Sequence, residues 1–197
     1  MKRLHYFIIC IAIISQSCKS SSSFETKFYN KDFDWSITIP KNFDTVSAVQ
    51  WAKMQNKGMD AIEKTYDQKI DNQAKTIFVF TSDKLNYFES NYQPFDTATD
   101  GSFMESCKSV SEVLYQTFAA QMPGTKIDTA SSIEKIDNMD FQKLTMKVSY
   151  PNNMVLNMDM YTRLFDKKQF SVNIMYVDKA KGELMLDAWK KSTFGHK

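Results

Sequence analysis

Apolar and polar residues change rhythm several times along the chain, and each change marks an element. Phe33, Trp35, Ile37 and Ile39 alternate with Asp34, Ser36 and Thr38 up to Pro40, which predicts a half-buried strand ended by proline. Phe24, Thr26 and Phe28 predict an earlier strand, joined to it by an Asn30-Lys31-Asp32 turn. From about 47 to 70 the spacing becomes helical, with Trp51, Met59, Ile62, Tyr66 and Ile70 on one side. Asn56-Lys57-Gly58 is a place where that helix would kink or split. Residues 76–81 (TIFVFT) read as a central strand, whereas 85–92 fit neither template cleanly.

The second helix is marked more strongly. Ser102 with Glu105 three residues on makes a capping box, and Phe103, Cys107, Val110, Leu114 and Phe118 recur at helical spacing until Pro123-Gly124. Four strands follow, at about 127–136, 141–150, 154–165 and 169–176, separated by Asp137-Asn138, Pro151-Asn152-Asn153 and Asp166-Lys167-Lys168. Strands joined by such short turns must run antiparallel. A helix over about 179–191, packing through Leu184, Met185, Ala188 and Trp189, closes the chain. The expectation is an α+β sandwich: an antiparallel sheet of six or seven strands with a C-terminal meander, covered by about three helices.

The start of the chain has its own logic. Lys2 and Arg3 precede an apolar run of 11 residues from Leu4 to Ile14, interrupted by His5. A hydrocarbon-spanning helix needs about 20 residues, so this run is too short to stay in a membrane. A charged start, a short apolar core and the small residues Ser15 and Ser17 are what a signal peptidase requires. The segment resembles the lipoprotein signals of Gram-negative bacteria, particularly the loose boxes of Bacteroidota, with Ser17 before the cut and Cys18 as the lipidated residue. Ser15 stands where Leu is commonest and Gln16 is unusual before Ser17, so cleavage after Ser17 without lipidation is the alternative. The organisation is therefore a signal over 1–17, a Ser-rich tether over 18–23 and one domain over 24–197. Six residues of tether reach about 20 Å at most, which holds a lipidated domain close to the membrane surface.

Composition then removes several classes of function. The chain carries 25 Lys and Arg against 23 Asp and Glu; loss of Lys2 and Arg3 with the signal leaves 23 against 23. No basic stripe interrupts this balance, so nucleic acid is not an expected partner. The two histidines are His5 in the signal and His196 beside the C-terminus, which leaves the body without a histidine for a Ser-His-Asp triad or a zinc site. The five glycines are isolated and form no phosphate-cradling or dinucleotide loop, so no cofactor is expected. Asp96-x-Ala98-x-Asp100-Gly101 lacks two of the oxygen ligands of a calcium loop and reads as surface.

A family resemblance rests on the two ends of the domain. The segment Tyr29-Asn30-Lys31-Asp32-Phe33-Asp34-Trp35-Ser36-Ile37-Thr38-Ile39-Pro40-Lys41-Asn42-Phe43 resembles the opening of PsbP/Mog1-like domains, and Ala188-Trp189-Lys190-Lys191-Ser192-Thr193-Phe194 resembles their terminal helix and Ser-x-Phe strand. Phe43 stands where that family prefers Trp, and the long helix over 47–70 is atypical of it. The resemblance implies a non-catalytic module that docks on a partner or assembly.

Side chains with candidate chemistry are few. Cys107 falls on the apolar stripe of the second helix and reads as a small buried hydrophobe. Met154, Leu156, Met158 and Met160 share one strand face, which is core by pattern, while Met158-x-Met160 is a candidate for Cu(I) because thioethers are soft ligands. On the other face Tyr161 and Arg163 are candidate partner contacts, with a covering helix as the alternative. Together these lead to a lipid-anchored protein of the bacterial envelope, periplasmic or at the cell surface, that binds a protein partner or ligand without catalysis. A soft-metal or small-ligand binder is the second reading, and a hydrolase working without histidine the third.

Overall fold

The computed structural model describes residues 25–69 and 72–195. The signal, Cys18 and the tether lie outside those residues, as do Ile70 and His196. The described residues begin with a hairpin, β1 (Thr26–Asn30) and β2 (Trp35–Ile39), then pass through the short β3 (Asp44–Thr45) into helix α1 (Ala48–Tyr66). A second hairpin, β4 (Lys75–Asp83) and β5 (Asn86–Pro94), leads to α2 (Phe103–Gln121). The meander β6 (Lys126–Ile136), β7 (Met139–Ser149), β8 (Val155–Phe165) and β9 (Lys168–Tyr176) follows, then α3 (Lys179–Lys190) and β10 (Thr193–Phe194).

These strands make two antiparallel sheets. The larger has seven strands in the order β3-β4-β5-β9-β8-β7-β6, and the smaller has the order β1-β2-β10. The meander is sequential because its turns are tight: Asp137 and Asn138 both adopt positive φ, 47° and 62°, the backbone of a two-residue hairpin turn that Asp and Asn tolerate. β9 then inserts beside β5, which puts the C-terminal meander and the β4-β5 hairpin in one sheet.

One face of the large sheet is closed by α3 and the small sheet together. Trp35, Phe88, Phe141, Phe170, Trp189 and Phe194 form the centre of the core there, each at most 3% exposed. The ring of Trp189 lies 5.2 Å from Phe141 and 5.5 Å from Tyr161, mostly in tilted or edge contacts that suit aromatic quadrupoles. α3 is held at its start by Asn86, whose side-chain oxygen accepts from the amides of Val177 and Asp178. Gly182 lets the helix approach closely, since a Cβ there would run into the ring of Tyr176.

The other face carries α1 and α2. α1 is a single helix through 56–58, neither kinked nor split, and it stops at Asp67, where φ is +50°. Of residues 85–92, ambiguous by pattern, Leu85 lies in the turn after β4 and 86–92 belong to β5, because both sides of that strand find neighbours, β4 and β9. Asp34 lies in the turn before β2, with φ +48°, instead of alternating within the strand with Ser36 and Thr38.

Candidate functional site

α2 begins as its sequence dictates: the Ser102 hydroxyl accepts from the Glu105 amide, and Glu105 favours the first turn electrostatically. Its apolar stripe faces the sheet, yet Thr117 is its only buried residue. Near the C-terminal end, Leu114 and Phe118 rest on a cluster of Met146, Val148, Leu156 and Met158. Toward the N-terminal end the helix stands off, and a groove of about 110 Å³ opens between Met104, Cys107 and Val110 above and Gln142, Leu144, Met160, Thr162 and Gln169 below.

The floor is polar because the strand register makes it so. Gln142, Thr162, Ser171 and Asn91 stand side by side across β7, β8, β9 and β5, and Thr162 shares a hydrogen bond of 3.4 Å with Ser171. Gln93 donates to Gln169 one step further along, at 3.4 Å. Asn173, directly across from Met160, keeps its side-chain oxygen buried with no hydrogen-bond donor from the protein. Its amide donates instead to Glu89 at 3.1 Å.

Glu89 is the anchor of this side. It is 6% exposed, and its carboxylate also accepts from Trp51 Nε1 at 2.8 Å and Gln55 Nε2 at 2.7 Å. Three donors compensate the burial of the charge and tie α1 to the sheet. The Tyr87 ring packs against Trp51 with centroids 4.8 Å apart, and burial followed by the nearby Glu89 charge pushes its hydroxyl pKa up. Burial likewise raises the pKa of the Cys107 thiol, so at neutral pH it is a thiol, not a thiolate.

A second polar cluster lies on the opposite face, at the flank of α3. Lys143 donates to Glu134 at 2.9 Å and stands 3.5 Å from Asp159, which accepts from Thr145 at 2.8 Å. Lys190 reaches the other Glu134 oxygen at 3.2 Å. Burial alone would lower the Lys143 pKa, but Glu134, Tyr161 and Asp159 outweigh it and raise it; burial would raise that of Glu134, but Lys143 and Lys190 hold it down. Two cations thus meet two carboxylates, and the cluster is charge-balanced.

No family model matches the chain, and no curated protein does. Among solved structures, the solution structure of a cyanobacterial PsbP, CyanoP, from Synechocystis superposes with a TM-score of 0.55 at 8% identity, over 87% of this chain and 92% of that one. The fold is PsbP-like. A crystal structure from Bacteroides thetaiotaomicron matches with a TM-score of 0.45 at 9% identity, over 87% of this chain and 48% of that one, so the chain spans about half of it.

Within this PsbP-like domain the candidate residues separate. Tyr161 is not a surface contact: it is fully buried under Trp189, with its hydroxyl 3.3 Å from Glu134, because α3 covers that face of β8. Arg163 sits at the margin, donating to the Asp140 carbonyl at 2.7 Å over the rings of Phe141 and Phe165, and lines an open cleft with Phe33 and Phe194. Met158 is 8% exposed and packs between its ladder partners Met146 and Met175, so it is core and not a ligand presented to solvent. Met160 points to the same side but lines the groove. Cys107 lines it too and is half-buried, which differs from the fully buried position its stripe implies. Met104 escaped the sequence reading because it is 45% exposed and lies beside, not on, the apolar stripe. Among the described residues no helix is long and apolar enough to cross a membrane, and no three His, Cys, Asp or Glu cluster as metal ligands.

Proposed function

We propose that this protein is a lipid-anchored binding module of the bacterial envelope, attached through Cys18, which receives a partner segment or small ligand in the groove beneath α2. The observation that carries the binding half of this reading is the groove itself, where an apolar roof of Met104, Cys107 and Val110 faces amide and hydroxyl groups of Gln142, Thr162 and Gln169. Specific sites combine apolar walls with a few placed polar groups in this way. At about 110 Å³ the cavity takes one side chain or a short alkyl group, not a drug-sized molecule. The anchoring half rests on the order of residues before Cys18 and on the few residues separating it from Thr26, where β1 begins.

A photo-crosslinking residue at Met104, on the groove rim, tests the binding reading in cells. Adducts are expected from Met104 and not from Leu184, which is equally exposed on α3 at 49%. The same adducts from both positions, or none from Met104, overturn it. Radiolabelled fatty acid should enter the wild type and not Cys18→Ala; equal labelling removes the anchor.

One observation favours a second reading, in which the ligand is Cu(I). Met104, Cys107 and Met160 come from two different elements to line one cavity, giving two thioethers and a thiol, a soft donor set. Binding replaces the thiol proton by the metal. Competition against a chromophoric Cu(I) chelator should show affinity lost in Met104→Leu/Met160→Leu and retained in Met158→Leu. Equal affinity in all three proteins sinks this reading and leaves the first intact.

A further inference from the structure

The two edges of the seven-stranded sheet are treated very differently. At one end the two-residue β3 covers β4; at the other lies β6, eleven residues long and paired to β7 over its whole length without a bulge. β6 contains no proline, residues 128–133 are exposed without interruption, and Ile133 is 61% exposed. Edge strands usually carry a bulge, a proline or an inward charge that blocks pairing, because their outward N–H and C=O groups template another strand. From 129 to 133 β6 has none of these.

We infer that β6 pairs with β6 of a second copy, antiparallel, to continue the sheet across a twofold axis. Symmetry restricts the register. A twofold that extends a sheet keeps the same face uppermost in both copies, and side chains alternate between faces, so each residue must meet one of its own parity. The axis then passes through a residue. Centred on Ala130, it sets Lys126 against Glu134 and Ile127 against Ile133, each twice, with Thr129 against Ser131. Moving it to Ser131 sets Asp128 against Glu134 twice, and moving it to Ser132 sets Thr129 against Lys135 and Ala130 against Glu134, with no pair of opposite charges. The Ala130 register alone pairs opposite charges and joins apolar side chains, the cross-strand combinations that stabilise a sheet. A second copy is the occupant this strand fits because the strand is complementary to itself.

The register is directly testable. At the axis, residues facing each other have Cα atoms about 4.5–5.5 Å apart, within disulfide reach. Ala130→Cys in the full chain in its own membrane should therefore give a covalent dimer under mild oxidation. Ser132→Cys should give far less, since the two Ser132 positions lie about 13 Å apart along the ladder; Cys107 is present in both variants and serves as common background. Ile133→Lys, at an exposed position, should keep the circular dichroism of the wild type while weakening dimerisation at least tenfold in sedimentation equilibrium. The inference is overturned if the wild type sediments as a monomer from micromolar to millimolar concentration. It is equally overturned if Ala130→Cys crosslinks no faster than Ser132→Cys, or crosslinks chiefly to a different protein.

Discussion

The two faces of the large sheet share every strand and yet are built on different principles. Toward α3 the strands present Phe88, Phe141, Tyr161 and Phe170, and the small sheet adds Trp35 and Phe194, so that α3 is enclosed from several sides. Toward α1 and α2 the same strands present Glu89, Asn173, Thr162, Gln142 and several methionines, and α2 has a single buried residue, Thr117. A strand alternates its side chains between faces, so one face is free to hold the fold while the other stays polar and incompletely covered. Stability belongs mainly to the first face and the groove to the second.

Substitution on each side measures that division. Trp189→Ala removes a fully buried indole from the centre of the aromatic core and should cost about 3–5 kcal/mol in urea unfolding. Leu114→Ala, from the half-buried stripe of α2, should cost about 1–2 kcal/mol, since less apolar area returns to water. Equal losses at the two positions would break the comparison, because α2 would then be as fully packed as α3.

Glu89 carries the next largest expectation. Glu89→Ala leaves Trp51 Nε1 and the Asn173 amide facing a hole, and buried donors without acceptors cost about 1–3 kcal/mol each. The loss should be local. Proteolysis or amide exchange should find α1 released while β7, β8 and β9 keep their protection. Uniform loss of protection would mean that α1 belongs to the same cooperative unit as the core.

How much of this could be read from the chain differs by face. The alternation up to Ile39 and the Ser102/Glu105 box are local signals; α2 starts where its box puts it, and β2 occupies the alternating run from Trp35 onward, with Phe33 and Asp34 left in the turn. The turn residues Asp137-Asn138 gave away the β6-β7 hairpin for the same reason. Tyr161 was misleading because β8 is covered on both sides, and a strand with two buried faces has no alternation left to identify the solvent side. β10 pairs with β2 across nearly the whole chain, a contact that no local pattern encodes. The groove depends on the gap between α2 and the sheet, a distance set by tertiary packing. Of its lining, only Cys107 and Val110 on the helix stripe and Met160 on the methionine face of β8 were visible.

The closed face also has an acid-sensitive latch at its rim. Asp83 receives Lys181 from α3 at 2.7 Å, the Leu85 amide at 2.9 Å and the Asn86 side chain at 2.8 Å. Burial alone would raise its pKa, but these partners outweigh it and lower the carboxyl from 3.8 to about 2. A carboxyl more acidic in the folded state stabilises the fold above its unfolded pKa, and that contribution disappears as pH falls from about 4 to about 2. Asp83 is largely exposed, so the effect should be smaller than that of Glu89→Ala. Unfolding midpoints of Asp83→Asn and the wild type should differ at pH 6 and converge at pH 2. A constant difference across that range would show that Asp83 acts through hydrogen bonding indifferent to its charge.

Cys107 should give the smallest energetic effect and the sharpest reading of the open face. Its thiol pKa lies above the ordinary 9.0 because of burial, so alkylation of the folded chain should be slow at neutral pH and rise about tenfold per pH unit through the alkaline range. The group lines a groove rather than a sealed core, so the reagent should arrive without unfolding. Two consequences follow from that access. The rate should be insensitive to denaturant well below the unfolding midpoint, and the modified protein should lose less than about 1 kcal/mol of stability. A groove occupant, whether a partner side chain or Cu(I), should slow the reaction in proportion to its occupancy. Labelling that appears only as global unfolding begins would mean α2 is sealed onto the sheet, and the two faces would then differ in composition but not in openness.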